Sequence, residues 1–197
     1  MNQIIIDNQH KIDTACQLCF YALDKYNNAV ETFHQKRNDI TKSNIFSQLE
    51  QERQINMASE ELGSISRNLY EEIKSNLDTM RVAAGEMKSL LDIGEDLQNA
   101  LSVVKALGKS LPSETRWGLV GQFKGQQQAL MILRAAFEGV EINPEVYFKG
   151  LIFDTGAAMK KLDDLAYQIS VQPGADSLVV TTLGGELEKF ADSVGVE

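Results

Sequence analysis

Residues 62–104 read LGSISRNLYEEIKSNLDTMRVAAGEMKSLLDIGEDLQNALSVV, and the spacing of the apolar side chains in this stretch decides the fold class. Leu62, Ile65, Leu69, Ile73, Leu77 and Met80 are followed by Ala84, Met87, Leu91, Leu97, Leu101 and Val104. Most steps are three or four, averaging close to 3.6, so these residues share one stripe of a helix. No proline interrupts residues 47–107. The pattern predicts one long helix over that span, roughly 90 Å from end to end at about 1.5 Å per residue.

Upstream, Ile12, Cys16, Cys19, Leu23, Tyr26, Val30, Phe33 and Ile40 recur in alternating steps of four and three, with Arg37 the one polar member of the seam. This heptad pattern predicts a first helix from about Asp7 to Ile40 that packs on another helix rather than on a sheet. Thr41–Asn44 is short enough to connect two antiparallel helices, and Ser47 with Glu50 three residues on fits a capping box for the second. Gly63, Gly85 and Gly94 lower the helix propensity of the long element. They are read as points of close packing, and a break near Ser59–Ser64, giving a compact five-helix bundle, is the alternative.

Gly108 and Pro112 end the long helix. A third helix is expected from Pro112 to about Glu138, with Trp117, Val120, Phe123, Leu130, Leu133 and Phe137 among its contacts. Asn143-Pro144-Glu145 is a start signal, with a capping side chain, a proline at the first helical position and an acid in the first turn. The fourth helix should run from there to Ser170, burying Phe148, Leu151, Ile152, Thr155, Met159, Leu162, Leu165 and Ile169. Ser177–Leu183 has β-branched strand character, Gly184-Gly185 breaks it, and Glu186–Val194 could form a short helix.

The fold expected is therefore all-α: an elongated helical bundle with a long central helix, an N-terminal antiparallel hairpin of coiled-coil type and a C-terminal three-helix bundle. The domains are 1–80 for the hairpin, 81–172 for the bundle, and 173–197 for a tail holding the short strand and helix.

The 197 residues carry a net charge of −9, and its placement excludes function classes. Residues 1–46 hold five acids and five bases, residues 47–108 eleven acids against six bases, and residues 143–197 stand at −5. No segment supplies the basic stripe that phosphate neutralisation demands, so nucleic acid and anionic membrane are not expected partners. No apolar run approaches the length of a membrane span, and the first residues lack the basic and apolar regions of a secretory signal. The cytoplasm is the expected location, with signal-less secretion or incorporation into a particle left open.

Chemistry is sparse. Cys16-x-x-Cys19 supplies two thiols where zinc takes four ligands, and both lie on the apolar seam, where cysteine acts as a small hydrophobe. Glu31-x-x-His34 and Asp7-x-x-His10 have the ligand spacing of di-metal helical bundles, but Glu31 and His34 flank Phe33 on the outward side. Gly108-Lys109-Ser110 lacks the earlier glycine of a phosphate-binding loop and reads as a helix cap. Gly118, Gly121 and Gly125 read as a close helix crossing, or more sharply as a membrane-inserting segment. Neither histidine is placed to activate a nucleophile. No catalytic residue, cofactor site, metal site or small-molecule substrate is expected.

A two-helix hairpin buries one narrow stripe and is marginal in water, so it should pair with a second copy or another helical protein. The expected interface is Leu23, Tyr26, Val30 and Phe33 on the first helix and Leu62, Ile65, Leu69 and Ile73 on the second. These readings favour a non-enzymatic helical assembly or adaptor protein, a homo-oligomer or a subunit of a larger particle. The alternatives are a helical membrane-active, pore-forming type of protein and a metal-dependent helical-bundle enzyme.

Overall fold

The computed structural model describes residues 3–89, 94–140, 143–152, 154–174 and 177–196, apart from the side chains of residues 88, 89 and 177. Among them it contains eight α-helices, one 3-10 turn and no strand, an all-α helical-hairpin bundle. No described helix is long and apolar enough to cross a membrane.

Helices α1 (Gln3–Lys42) and α2 (Gln48–Ser89) form the hairpin. Ser47 accepts the Glu50 backbone N–H on its hydroxyl at 3.3 Å, so the capping box works in its forward half. α2 runs through residues 59–64 without a break. Gly63 packs there at ordinary distance, since a β-carbon on it would lie 3.8 Å from Pro173. Gly85 meets no neighbour within 4 Å, so close packing does not explain that glycine.

The expected sixty-residue helix is two. Gly94 is extended (φ −64°, ψ 172°) and caps α3 (Glu95–Leu107), with Glu95 and Asp96 in the first turn facing the positive end of the helix dipole. Leu91 lies outside the described residues. Gly108 closes α3 and its N–H donates to the Val104 carbonyl.

The expected third and fourth helices are also divided. α4 (Ser113–Gly121) and α5 (Gln127–Glu138) are separated by a turn at Gly125, whose φ of 83° favours glycine. After Pro144 only one turn, α6 (Glu145–Phe148), forms before Gly150 at φ 80° stops it. α7 (Thr155–Val171) starts afresh, with the Asp154 carboxylate accepting the N–H groups of Gly156 at 2.9 Å and Ala157 at 3.2 Å. Leu151, Ile152, Thr155 and Leu165, expected to be buried, are only half-buried. Ser177–Ser193 is helical throughout as α8, where strand character was read; its apolar Val180, Leu183, Leu187 and Phe190 fall at helical spacing and are buried.

The chain divides into two compact units. The first comprises Met1–Thr14, Thr79–Ala158 and Lys189–Glu197. A hydrophobic core cluster in it is built by α3 to α6, where Leu97, Val104, Val120, Leu130, Phe137 and Phe148 meet. The Phe137 and Tyr147 rings stack at 5.9 Å. Gln9 donates to the carbonyls of Val194 at 3.0 Å and Gly195 at 3.3 Å, tying the end of the chain to α1.

The second unit comprises Ala15–Asp78 and Met159–Glu188. Here the α1–α2 hairpin is covered by a second hairpin, α7–α8. Ser66 donates to the Ile169 carbonyl at 2.6 Å, and the Tyr26 hydroxyl accepts the Gly174 N–H at 2.9 Å. Tyr70 and Tyr167 meet edge to face at 5.9 Å. A β-carbon on Gly184 would contact Phe20 at 3.7 Å, and Lys161 pairs with Glu186 at 2.8 Å. Residues 159–188, read from sequence as part of a separate bundle and tail, thus complete the core over the hairpin.

Candidate interaction surface on the hairpin arm

The cover supplied by α7–α8 stops short. Its turn at Pro173–Gly174 sits against Tyr26, Leu62 and Gly63, which are the last buried positions on α1 and α2 before the connection. From there the two helices continue for about four turns each. Residues 27–61 are all described, and not one of them is buried. These two helix ends and their connection form an arm of unit 2, held by ion pairing of Lys36 with Glu61 at 3.0 Å and by the Gln51 side chain donating to the Ser43 carbonyl at 2.9 Å.

The arm carries the seam pattern onward but leaves it open. Ala29 on α1 and Ala58 on α2 are too short to fill the space between the helices, and a cleft of about 260 Å³ opens there. Phe33, Lys36, Leu62 and Ile65 line it with them. A second opening of about 560 Å³ follows toward the tip, lined by Lys36, Asp39, Ile40, Gln54, Met57 and Ala58. At the tip itself Ile45 is 90% and Leu49 78% exposed, with Phe46 beside them. Contiguous exposed apolar side chains of this kind mark interaction sites.

The eight expected interface residues separate into two groups. Leu23, Tyr26, Leu62, Leu69 and Ile73 are buried within unit 2. Val30 and Phe33 are half-buried and Ile65 is exposed, so these three lie on uncovered seam. A heptad seam specifies a helical neighbour but carries no mark of which helix supplies it, and for the buried five the chain's own α7–α8 does so. Ile40 was read as a seam position but not among the eight, and the exposed Ile45, Phe46, Leu49 and Met57 were not singled out. The signal was present: three large apolar residues, Ile45, Phe46 and Leu49, stand in and beside a connection that is otherwise polar.

The remaining chemistry-bearing residues do not converge. Cys16 and Cys19 are buried in the seam and form no disulfide. Burial first, then the neighbouring Cys16 and Glu72, pushes the Cys19 thiol up to about 12. It therefore stays protonated at neutral pH, the opposite of a reactive thiolate. No group of three or more His, Cys, Asp or Glu side chains suited to one metal ion occurs among the described residues. Glu31 and His34 are both exposed, with His34 tilted against Phe33 at 5.6 Å. Tyr70 has its phenol raised above its ordinary value by partial desolvation and the Asp163 charge.

Unit 1 has a more polar cleft, about 470 Å³, bordered by Gln9, His10, Asp13, Gln122 and Lys124. Gln9 is engaged with two backbone carbonyls and Lys124 pairs with Asp192 at 3.8 Å, so these groups fasten the chain end. In the glycine ladder, Gly118 and Gly121 meet nothing within 4 Å, contrary to a close crossing there. Gly125 does make a close approach, to the Val194 carbonyl. Trp117 is half exposed and lies at 5.0 Å from the Tyr147 ring.

No family model, curated protein or solved structure matches this chain. What fold and surface define is an all-α helical-hairpin bundle with one uncovered arm.

Proposed function

We propose that this chain is a non-enzymatic assembly or adaptor protein that holds a helical protein partner along its hairpin arm. The observation that carries the reading is the contrast along a single seam. Its covered part is closed by helices, whereas residues 27–61 bury nothing while presenting Val30, Phe33, Ile40 and Met57. An apolar stripe on two helices is completed by further helices packed into its grooves. The acidic balance of the chain disfavours phosphate-rich surfaces as its partner.

The test places a photo-crosslinking amino acid at Met57 in cells producing the chain. Adducts of discrete mass with protein, suppressed by Val30→Asp, are expected. A folded protein that yields no protein adduct from Met57 would remove the reading.

A further inference from the structure

The last turn of α8 is capped from within and seated from without. Gly195 turns at a φ of 81°, its N–H donates to the Asp192 carbonyl at 3.1 Å, and the Val196 N–H reaches back to Ala191 at 3.1 Å. This pair of bonds closes a helix end at a glycine and satisfies two of its carbonyls. The carbonyls of Val194 and Gly195 go to one side chain of α1, since Gln9 donates to them at 3.0 and 3.3 Å. Lys124 adds an ion pair to Asp192 at 3.8 Å. Backbone also fits against backbone. A β-carbon on Gly125 would fall on the Val194 carbonyl. One on Gly195 would lie 2.7 Å from the Gln9 amide nitrogen and 3.1 Å from the Lys124 carbonyl. Val194 itself is buried, and all these residues belong to unit 1.

We propose that residues 191–196 are a strap, leaving and re-entering the seat formed by Gln9, Lys124 and Gly125 as one piece while the rest of unit 1 stays folded. Gly195 and Val196 border the cleft of about 470 Å³ with His10 and Asp13, so their departure widens it. The strap is a property of unit 1 and does not depend on the arm.

Magnitudes favour a separate opening. Leaving the seat uncovers one valine and breaks two hydrogen bonds between uncharged groups; the exposed ion pair adds little. Each hydrogen bond contributes about a factor of five, and the valine about a factor of ten to a hundred. The open form is then populated at about one part in a thousand, whereas global unfolding of a domain stands at about one part in ten thousand or far less. The other side of the seat is the turn around Gly125, closed by the Lys124 N–H to Gly121 at 3.2 Å and the Gln126 N–H to Phe123 at 2.9 Å.

Native-state amide exchange on the full chain tests this. The Val194, Gly195 and Val196 amides should exchange well before those of Leu130 and Leu133 in α5, with little response to sub-denaturing urea. Gln9→Met removes the donor and keeps the length. It should speed exchange about tenfold or more at residues 194–196, and also at Lys124 and Gln126 across the seat, leaving Leu130 and Leu133 as they were. Gly195→Ala, whose β-carbon meets the Gln9 amide, should act in the same way. Exchange at residues 194–196 that occurs only through global unfolding overturns the strap. Fast exchange there that ignores both substitutions overturns it too, because the helix end is then merely frayed. So does an equal acceleration at Leu130 and Leu133, because residues 191–196 are then part of one indivisible core.

Discussion

The Ser66 hydroxyl on α2 donates to the Ile169 carbonyl on α7 at 2.6 Å, filling a vacancy that Pro173 creates. In a helix the Ile169 carbonyl would accept the N–H four residues on, and residue 173 is a proline without one. Gln172 still donates to Gln168 at 3.1 Å, so the ladder is regular up to the residue before the proline. A hydroxyl from a neighbouring helix takes the place of the missing amide, and both groups are buried. The sequence thus couples a helix stop in α7 to a serine placed among the apolar residues of α2.

Ser66→Ala should destabilise the protein by about 1–3 kcal/mol, the cost of a buried carbonyl left without a donor. Pro173→Ala restores an amide at residue 173, and the double variant should recover part of the loss. Chemical denaturation of the two single variants and the double reads this out. Strictly additive effects would contradict the proposed exchange of donors.

Tyr26→Phe removes the acceptor for the Gly174 N–H, which lies against a side chain only 1% exposed. The expected loss is about 1 kcal/mol, with a local signature. Amide exchange at Gly174 should speed up far more than exchange in α5, which lies in the other unit.

Gly125 and Gly85 should respond in opposite directions. Gly125→Ala places a β-carbon on the Val194 carbonyl at a φ of 83°, and a thermal-melt depression larger than that of Gly118→Ala or Gly121→Ala in α4 is expected. Gly85 sits inside α2 with nothing within 4 Å. Gly85→Ala should raise stability by up to about 1 kcal/mol.

Cys19 makes stability depend on alkaline pH. The folded thiol releases its proton near 12, against an ordinary value of 9.0. Between those values the unfolded chain gives up the proton while the folded chain keeps it, so stability is full below the lower value and falls as pH rises. Cys19→Ala should flatten this part of the curve relative to the parent, measured by urea unfolding at several alkaline pH values. Identical slopes for the two proteins would show that the thiol does not titrate as its burial requires.

Much of the fold was legible in the spacing of apolar residues. The hairpin, its connection and the Ser47 cap follow from local rules that act within a few residues of chain. The divisions were less visible. Gly94 begins α3, while Gly125 and Gly150 break the path between helices at positive φ, and a glycine inside a periodic stretch carries no label distinguishing a boundary from a contact. Gly63 and Gly85 show the other outcome, remaining inside one continuous helix. The strand reading of Ser177–Leu183 failed because Val179, Val180 and Thr181 have strand propensity, yet Val180, Leu183 and Leu187 form a buried helical stripe. Packing overrode propensity.

The candidate surface was half legible for a related reason. Periodicity finds every residue on a seam and treats Leu69 and Phe33 alike. Whether the neighbour comes from the same chain depends on α7–α8 folding back some hundred residues later, which no local pattern announces. Ser66 with Ile169 and Tyr26 with Gly174 are the contacts that decide it. Leu69→Asp would therefore damage the core of unit 2, whereas Val30→Asp changes the open part of the seam.

Residues 27–61 contain no fully buried side chain. Removing one heptad from each of the two helices would keep their faces aligned and only shorten the arm. Such a change would alter the reach of the hairpin and leave the part closed by α7–α8 as it is.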